Sequence, residues 1–79
     1  MNADQQLDIS EELIPVSLAL CKSALAALTV GAVLEIRLRD RDTLQDLQLI
    51  VERSGDQVLA WENREEYYSL WVRKNPGKM

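Results

Sequence analysis

The 79-residue chain contains no histidine and a single cysteine, Cys21. Without imidazole there is no histidine base, no Ser–His pair and no histidine metal ligand. One thiol cannot close an internal disulfide, nor can it assemble a zinc finger or an iron–sulfur site within the chain. A lone thiol fits a reducing compartment, so a cytoplasmic location is expected. There are only three glycines, none in a G-x-G cluster, so no phosphate cradle is read. "DRDTLQD" holds Asp40, Asp42 and Asp46 but lacks the glycine and terminal glutamate of a calcium loop, and reads as a solvated helix start. No metal and no cofactor are expected. "MNADQQLD" has neither the basic nor the apolar region of a signal peptide, and no apolar run approaches the ~20 residues of a membrane span. With a net charge of −4, nucleic-acid binding would need a strong basic patch. Arg37, Arg39 and Arg41 alternate with Leu38 and Asp40, and nearby acids offset them, so no direct nucleic-acid partner is expected.

What remains is ordinary for one small folded domain: 47% hydrophobic and 28% charged residues. "QQLDI", Gln5 to Ile9, suits a short first strand, and residues 10–14 suit a loop. Pro15 fits the first turn of a helix, where its missing N–H costs nothing. From there Leu18, Cys21, Leu25 and Leu28 recur at helical spacing, flanked by Leu20, Ala24 and Ala27. Residues 29–32, with Gly31, end that helix. "VLEIRLR", Val33 to Arg39, alternates like a half-buried strand, with Leu34, Ile36 and Leu38 on one side. A second helix is predicted from Asp42 as N-cap, with Gln45 closing a capping box. Its stripe is Leu44, Leu47, Ile50 and Val51, and Gly55 follows it. "QVLAWEN" and "YYSLWVRK" read as a hairpin turning near Asn63 to Glu66. The predicted fold is α+β, a two-layer β-α-β-α-β-β sandwich with both helices on one face of a four-stranded mixed sheet. One domain spans residues 1–79, with its core at about 5–74 and a fraying tail at 75–79. The open sheet face is expected to carry Glu35, Arg37, Arg39, Tyr67, Ser69, Trp71 and Arg73.

This order of elements, together with Leu7-Asp8, Pro15, Ala24-Leu25, Gly31 before "VLEI", "DTLQDL", "SGDQVLAWE" and "YYSLWVRK", resembles the TusA/SirA family of small sulfur-carrier proteins. The resemblance runs from Leu7 to Lys74. In that family a Cys-Pro-x-Pro motif heads the first helix, and the resemblance implies that its cysteine carries a persulfide to a partner. Here the motif cysteine falls on Ile14, the second proline on Ser17, and an early glycine on Glu11. Ile14, Pro15 and Ser17 are thus a motif remnant without its thiol. A thiol at a helix start has a lowered pKa and is nucleophilic; isoleucine cannot substitute for it. Cys21 lies roughly two turns inside the helix on the apolar stripe, where free cysteine is a packing residue.

The expected function is therefore a non-catalytic, non-enzymatic TusA/SirA-like module that binds a protein partner, related to a sulfur relay or a regulatory system. The alternatives are a sulfur carrier working through Cys21 and an unrelated small α/β binding module. Two partner surfaces compete. One is the sheet face, where Tyr67 and Trp71, two strand positions apart on each side of Ser69, point the same way near arginines. Trp61 joins them if Leu59, Trp61 and Asn63 face outward. The other is the loop at the first helix tip, with Glu11, Glu12 and Ile14. A plainer reading of the aromatics is that they are scattered surface residues packed under the stems of Arg37 or Arg73.

Overall fold

The computed structural model describes residues 2–76, apart from the side chains of Ile14 and Pro15. The elements are β1 (Gln5–Asp8), α1 (Ile14–Ala27), β2 (Val33–Leu38), α2 (Arg41–Arg53), β3 (Gln57–Asn63) and β4 (Tyr68–Arg73). The sheet order is β1-β2-β4-β3. β1 runs parallel to β2, while β4 is antiparallel to both β2 and β3.

The alternation of β2 sets the two layers apart. Leu34 stands opposite Val72 and Ile36 opposite Leu70, so the two central strands share one apolar side. Cys21, Leu25 and Leu28 of α1 and Leu44, Leu47 and Val51 of α2 join these residues in one buried cluster. Both helices therefore cover the same sheet face, as the sequence predicts. Leu7, Leu18 and Tyr68 pack at its margin. Of the predicted α1 stripe Cys21, Leu25 and Leu28 are buried and Leu18 is half-buried, but of its expected flanks Leu20 and Ala27 are exposed, as are Leu13 and Val16.

The cap of the second helix lies two residues before the predicted one. Asp40, not Asp42, is the N-cap: its backbone is extended and its carboxylate accepts from the Thr43 amide (3.0 Å) and the Thr43 hydroxyl (2.6 Å). These bonds hold the Asp40 carboxyl below its ordinary pKa. Asp42 sits instead in the first turn, where its charge faces the helix dipole. The far end closes as a Schellman motif. Asp56 N–H donates to the Val51 carbonyl and Gly55 N–H to Glu52, with Gly55 at φ +84°.

Two further expectations change. A register shift between Val58 and Ala60 puts Trp61 opposite Leu70, on the helix side of the edge strand β3. Trp61 is half exposed there, with its ring 6.4 Å from that of Tyr68, so it does not join an outer aromatic set. The predicted tail also begins tied down. The Asn75 backbone N–H donates to Asp56 and its side-chain amide donates to the Gly55 carbonyl. The fraying expected of residues 77–79 lies outside the described residues. No helix among the described residues is long and apolar enough to cross a membrane.

The packing predicts a contrast within α2. Leu47 is fully buried and Leu49 is half exposed. Leu47→Ala is expected to cost about 2–5 kcal/mol, and Leu49→Ala to stay within about 0.5 kcal/mol of the parent, as read by urea denaturation.

Candidate functional site

On the sheet face away from the helices, the alternation that buries Leu34 and Ile36 turns Glu35 and Arg37 outward. Glu35 nevertheless has only 9% of its surface exposed. Its carboxylate accepts from the Ser69 hydroxyl (2.9 Å), the Gln6 amide (3.0 Å) and Arg37 Nε (3.2 Å). Burial pushes this carboxyl upward in pKa, but the three donors outweigh it and the net direction is down. The Arg37 guanidinium then lies over the Tyr67 ring, 5.1 Å from its centroid, and Arg64 approaches the same ring at 6.0 Å.

Trp71 shares this face, as predicted, but is only 2% exposed. Its indole N–H is buried with no hydrogen-bond partner among the described residues. It cannot serve as an accessible partner surface. The predicted pairing of Tyr67 with Trp71 as one exposed patch is thus corrected: Tyr67 is reachable and Trp71 is not.

Tyr67 belongs to a different constellation. A cleft of about 260 Å³ is lined by Asp8, Ser10, Glu11, Arg37, Arg39, Glu66 and Tyr67. Its walls are the β1–α1 loop, the end of β2 and the β3–β4 turn. The Asp8 carboxylate accepts from the Ser10 hydroxyl (2.6 Å) and amide (2.9 Å), which hold its pKa low, and Arg37 and Arg39 add to that effect. Arg39 pairs with Glu11 at 3.3 Å across exposed side chains. Sequence reading treats Glu11 and Tyr67 as members of rival surfaces, yet the fold places both on this one cleft.

A smaller cavity of about 60 Å³ adjoins the tip of α1, lined by Ile9, Ser10, Glu12, Ser17, Leu38, Arg39, Asp40 and Thr43. Ser10 and Arg39 are common to both hollows. Ser17, at the position of the motif's second proline, is 3% exposed. Helix α1 starts with Leu13 as a cap lacking a side-chain bond, with a proline in the first turn and no acid there. The motif-remnant side chains of Ile14 and Pro15 lie outside the described residues. Cys21 is fully buried, and burial pushes its thiol up to about 12. Among the described residues no group of acids and cysteine could hold a metal ion. Asp8, Ser10 and Glu66 are site residues that sequence reading missed, whereas Arg37 and Arg39 come to it from the expected sheet face. The hairpin turn near Glu66 is legible, but its meeting with the Asp8 end of β1 on one cleft leaves no signal in either segment alone.

Comparison with known proteins follows the fold. The family model described as "Sulfurtransferase TusA" matches residues 5–74. No curated protein matches the chain. Among solved structures, the crystal structure of a SirA-like protein from Desulfitobacterium hafniense matches with a TM-score of 0.79 and 20% identity, covering 91% of this chain and 99% of that one. At that identity the likeness shows a common fold.

The open-face network makes stability depend on acidity. The folded-state pKa values of Glu35 and Asp8 lie below their unfolded values. Their contribution is present above the unfolded carboxyl range and is lost as pH falls through the folded values. Denaturant midpoints should therefore hold from pH 8 to about 5 and fall below about pH 4. Glu35→Gln should lose about 1–3 kcal/mol at neutral pH and then lose less than the parent on acidification.

Proposed function

Since the chain belongs to the TusA family, whose model spans residues 5–74, we propose that it is a member without thiol chemistry. On this reading it is a protein-binding or regulatory module attached to a sulfur-transfer system, and it works in the cytoplasm. The observation that carries the reading is the location of sulfur. The resemblance puts the motif cysteine at Ile14, and the chain's one cysteine is instead sealed in the core. With its thiol pushed up to about 12, Cys21 holds on the order of one thiolate in 10⁵ molecules at neutral pH. A persulfide relay needs both a nucleophile and access for a partner's sulfur atom. Cys21 offers neither without local unfolding.

The partner surface is assigned to the helix-tip loop together with the cleft beside it: Glu11, Glu12 and Tyr67. Loss of the thiol leaves this surface intact as a place to dock. Its rim is polar and charged, and its one aromatic side chain, Tyr67, is the natural anchor among the lining residues. Burial removes Trp71 from the assignment.

Four measurements test the reading. Incubation with a sulfur donor followed by intact-mass analysis should leave native protein unmodified, and a bulky maleimide should label Cys21 slowly in buffer and quickly in denaturant. Persulfide on Cys21 of folded protein would establish the alternative, a carrier working through that residue. Ile14→Cys should restore a reactive thiol with a pKa below the ordinary ~8.5, because it stands at the start of α1; an unshifted value contradicts the helix-tip argument. For any partner recovered with the parent chain, Tyr67→Ala and Glu12→Lys should each weaken binding about tenfold or more, that is ~1.4 kcal/mol, while Leu49→Ala leaves it unchanged.

A further inference from the structure

The cleft contains more charge than its internal pairs consume. Of its three carboxylates, Asp8 is committed to Ser10 and Glu11 to Arg39. Glu66, on the β3–β4 turn, makes no hydrogen bond or ion pair among the described residues. Of its two guanidinium groups, Arg39 is committed to Glu11. Arg37 is bound only through Nε, to Glu35 beneath it, and its guanidinium carbon lies over the Tyr67 ring, 5.1 Å from the centroid. The outer nitrogens of its fork make no hydrogen bond among the described residues, and the side chain is 37% exposed. Crossing off the internal pairs leaves one oriented guanidinium edge and one free carboxylate on the same hollow.

We propose that this cleft binds a small zwitterion with the size and charge pattern of a free α-amino acid. The ligand's carboxylate is received by the outer edge of Arg37 and its ammonium by Glu66. Three features support this occupant over a simple ion. The lining has three acids against two arginines, so an anion alone meets net repulsion. A cation alone leaves the Arg37 edge unused. The volume of about 260 Å³ lies just under the ~300 Å³ at which drug-sized sites begin, which suits an amino acid. The guanidinium is also pre-oriented. Glu35 fixes its Nε and is itself fixed by Ser69 and Gln6, so little side-chain freedom is lost when a carboxylate binds. Planar, two-pronged contact with a carboxylate is what such a fork does best. Because the groups are partly exposed, affinity is modest and falls with salt.

The test is a titration of the folded protein at low ionic strength, followed by NMR at the Arg37 Nε–H and the Ser10 amide. The probes are L-alanine, L-alaninamide (ammonium only) and N-acetyl-L-alanine (carboxylate only). L-Alanine is expected to give saturable shifts, and each single-charge analogue to bind at least about tenfold more weakly. Arg37→Lys keeps the charge but loses the fork and should weaken L-alanine binding by a similar factor. That substitution also disturbs Glu35, so Glu66→Gln, on an exposed turn, provides the decisive variant. In Glu66→Gln, the preference of at least about tenfold for L-alanine over N-acetyl-L-alanine should disappear. Absence of saturable shifts with L-alanine overturns the proposal. So does equal binding of L-alanine and either analogue, or undiminished L-alanine binding by folded Glu66→Gln.

Discussion

The pairing of β2 with β4 is the constraint on which everything else rests. Leu34 and Ile36 face Val72 and Leu70 across it, and the same register sets Glu35 against Trp71 and Arg37 against Ser69. Shifting either strand by one residue would exchange the two sets. The apolar floor under the helices would become charged, and the hydrogen-bonded carboxylate of Glu35 would enter the core. The core and the site are thus two sides of one register. Large Leu and Ile residues hold it in place on the covered side, and on the other the Ser69 hydroxyl on β4 donates across it to the Glu35 carboxylate on β2.

That arrangement explains why the open face is not simply a wet face. Glu35 is charged and nearly buried, which is tolerable because each lone-pair direction that matters is met by a donor. Arg37 leaves the network at its edge, over Tyr67, and carries the order of the sheet centre out to the cleft. The cleft is lined largely by loop residues, but Arg37 comes from strand β2 and is tied to Glu35, which Ser69 and Gln6 hold. Positioning a binding group in this way costs less freedom on binding than placing it at a loop tip would.

Much of this was legible in the sequence. The period-two run from Val33 and the three-and-four spacings of Leu18, Cys21, Leu25 and Leu28 predict the elements and their buried sides because burial directly selects those periods. The β-α-β-α-β-β order follows from them. The N-cap was misplaced at Asp42 because Asp42–Gln45 has the same spacing as Asp40–Thr43, and the end of β2 at Leu38 is what selects Asp40. Trp71 was placed on the correct face but not at the correct depth. Alternation reports the direction of a side chain and says nothing of what lies over it. The cleft was out of reach for a different reason. Asp8 and Glu66 stand at opposite ends of the chain, and their proximity follows from the sheet order β1-β2-β4-β3, which periodicity does not encode. The fate of the single cysteine was the most readable functional feature, since a stripe position two turns inside a helix is a core position whatever the family's chemistry.

The account turns on that cysteine being a packing group, so the most direct measurement is its ionisation in the folded state. The ultraviolet absorbance of the thiolate, followed as pH is raised and referenced to Cys21→Ala to remove the tyrosine signal, reports it without any reagent needing access. The account predicts no thiolate signal until about pH 10 or the onset of unfolding, in keeping with a thiol pushed up to about 12. A transition at or below the ordinary ~8.5, with the fold intact, would show a thiol available for chemistry and would contradict it.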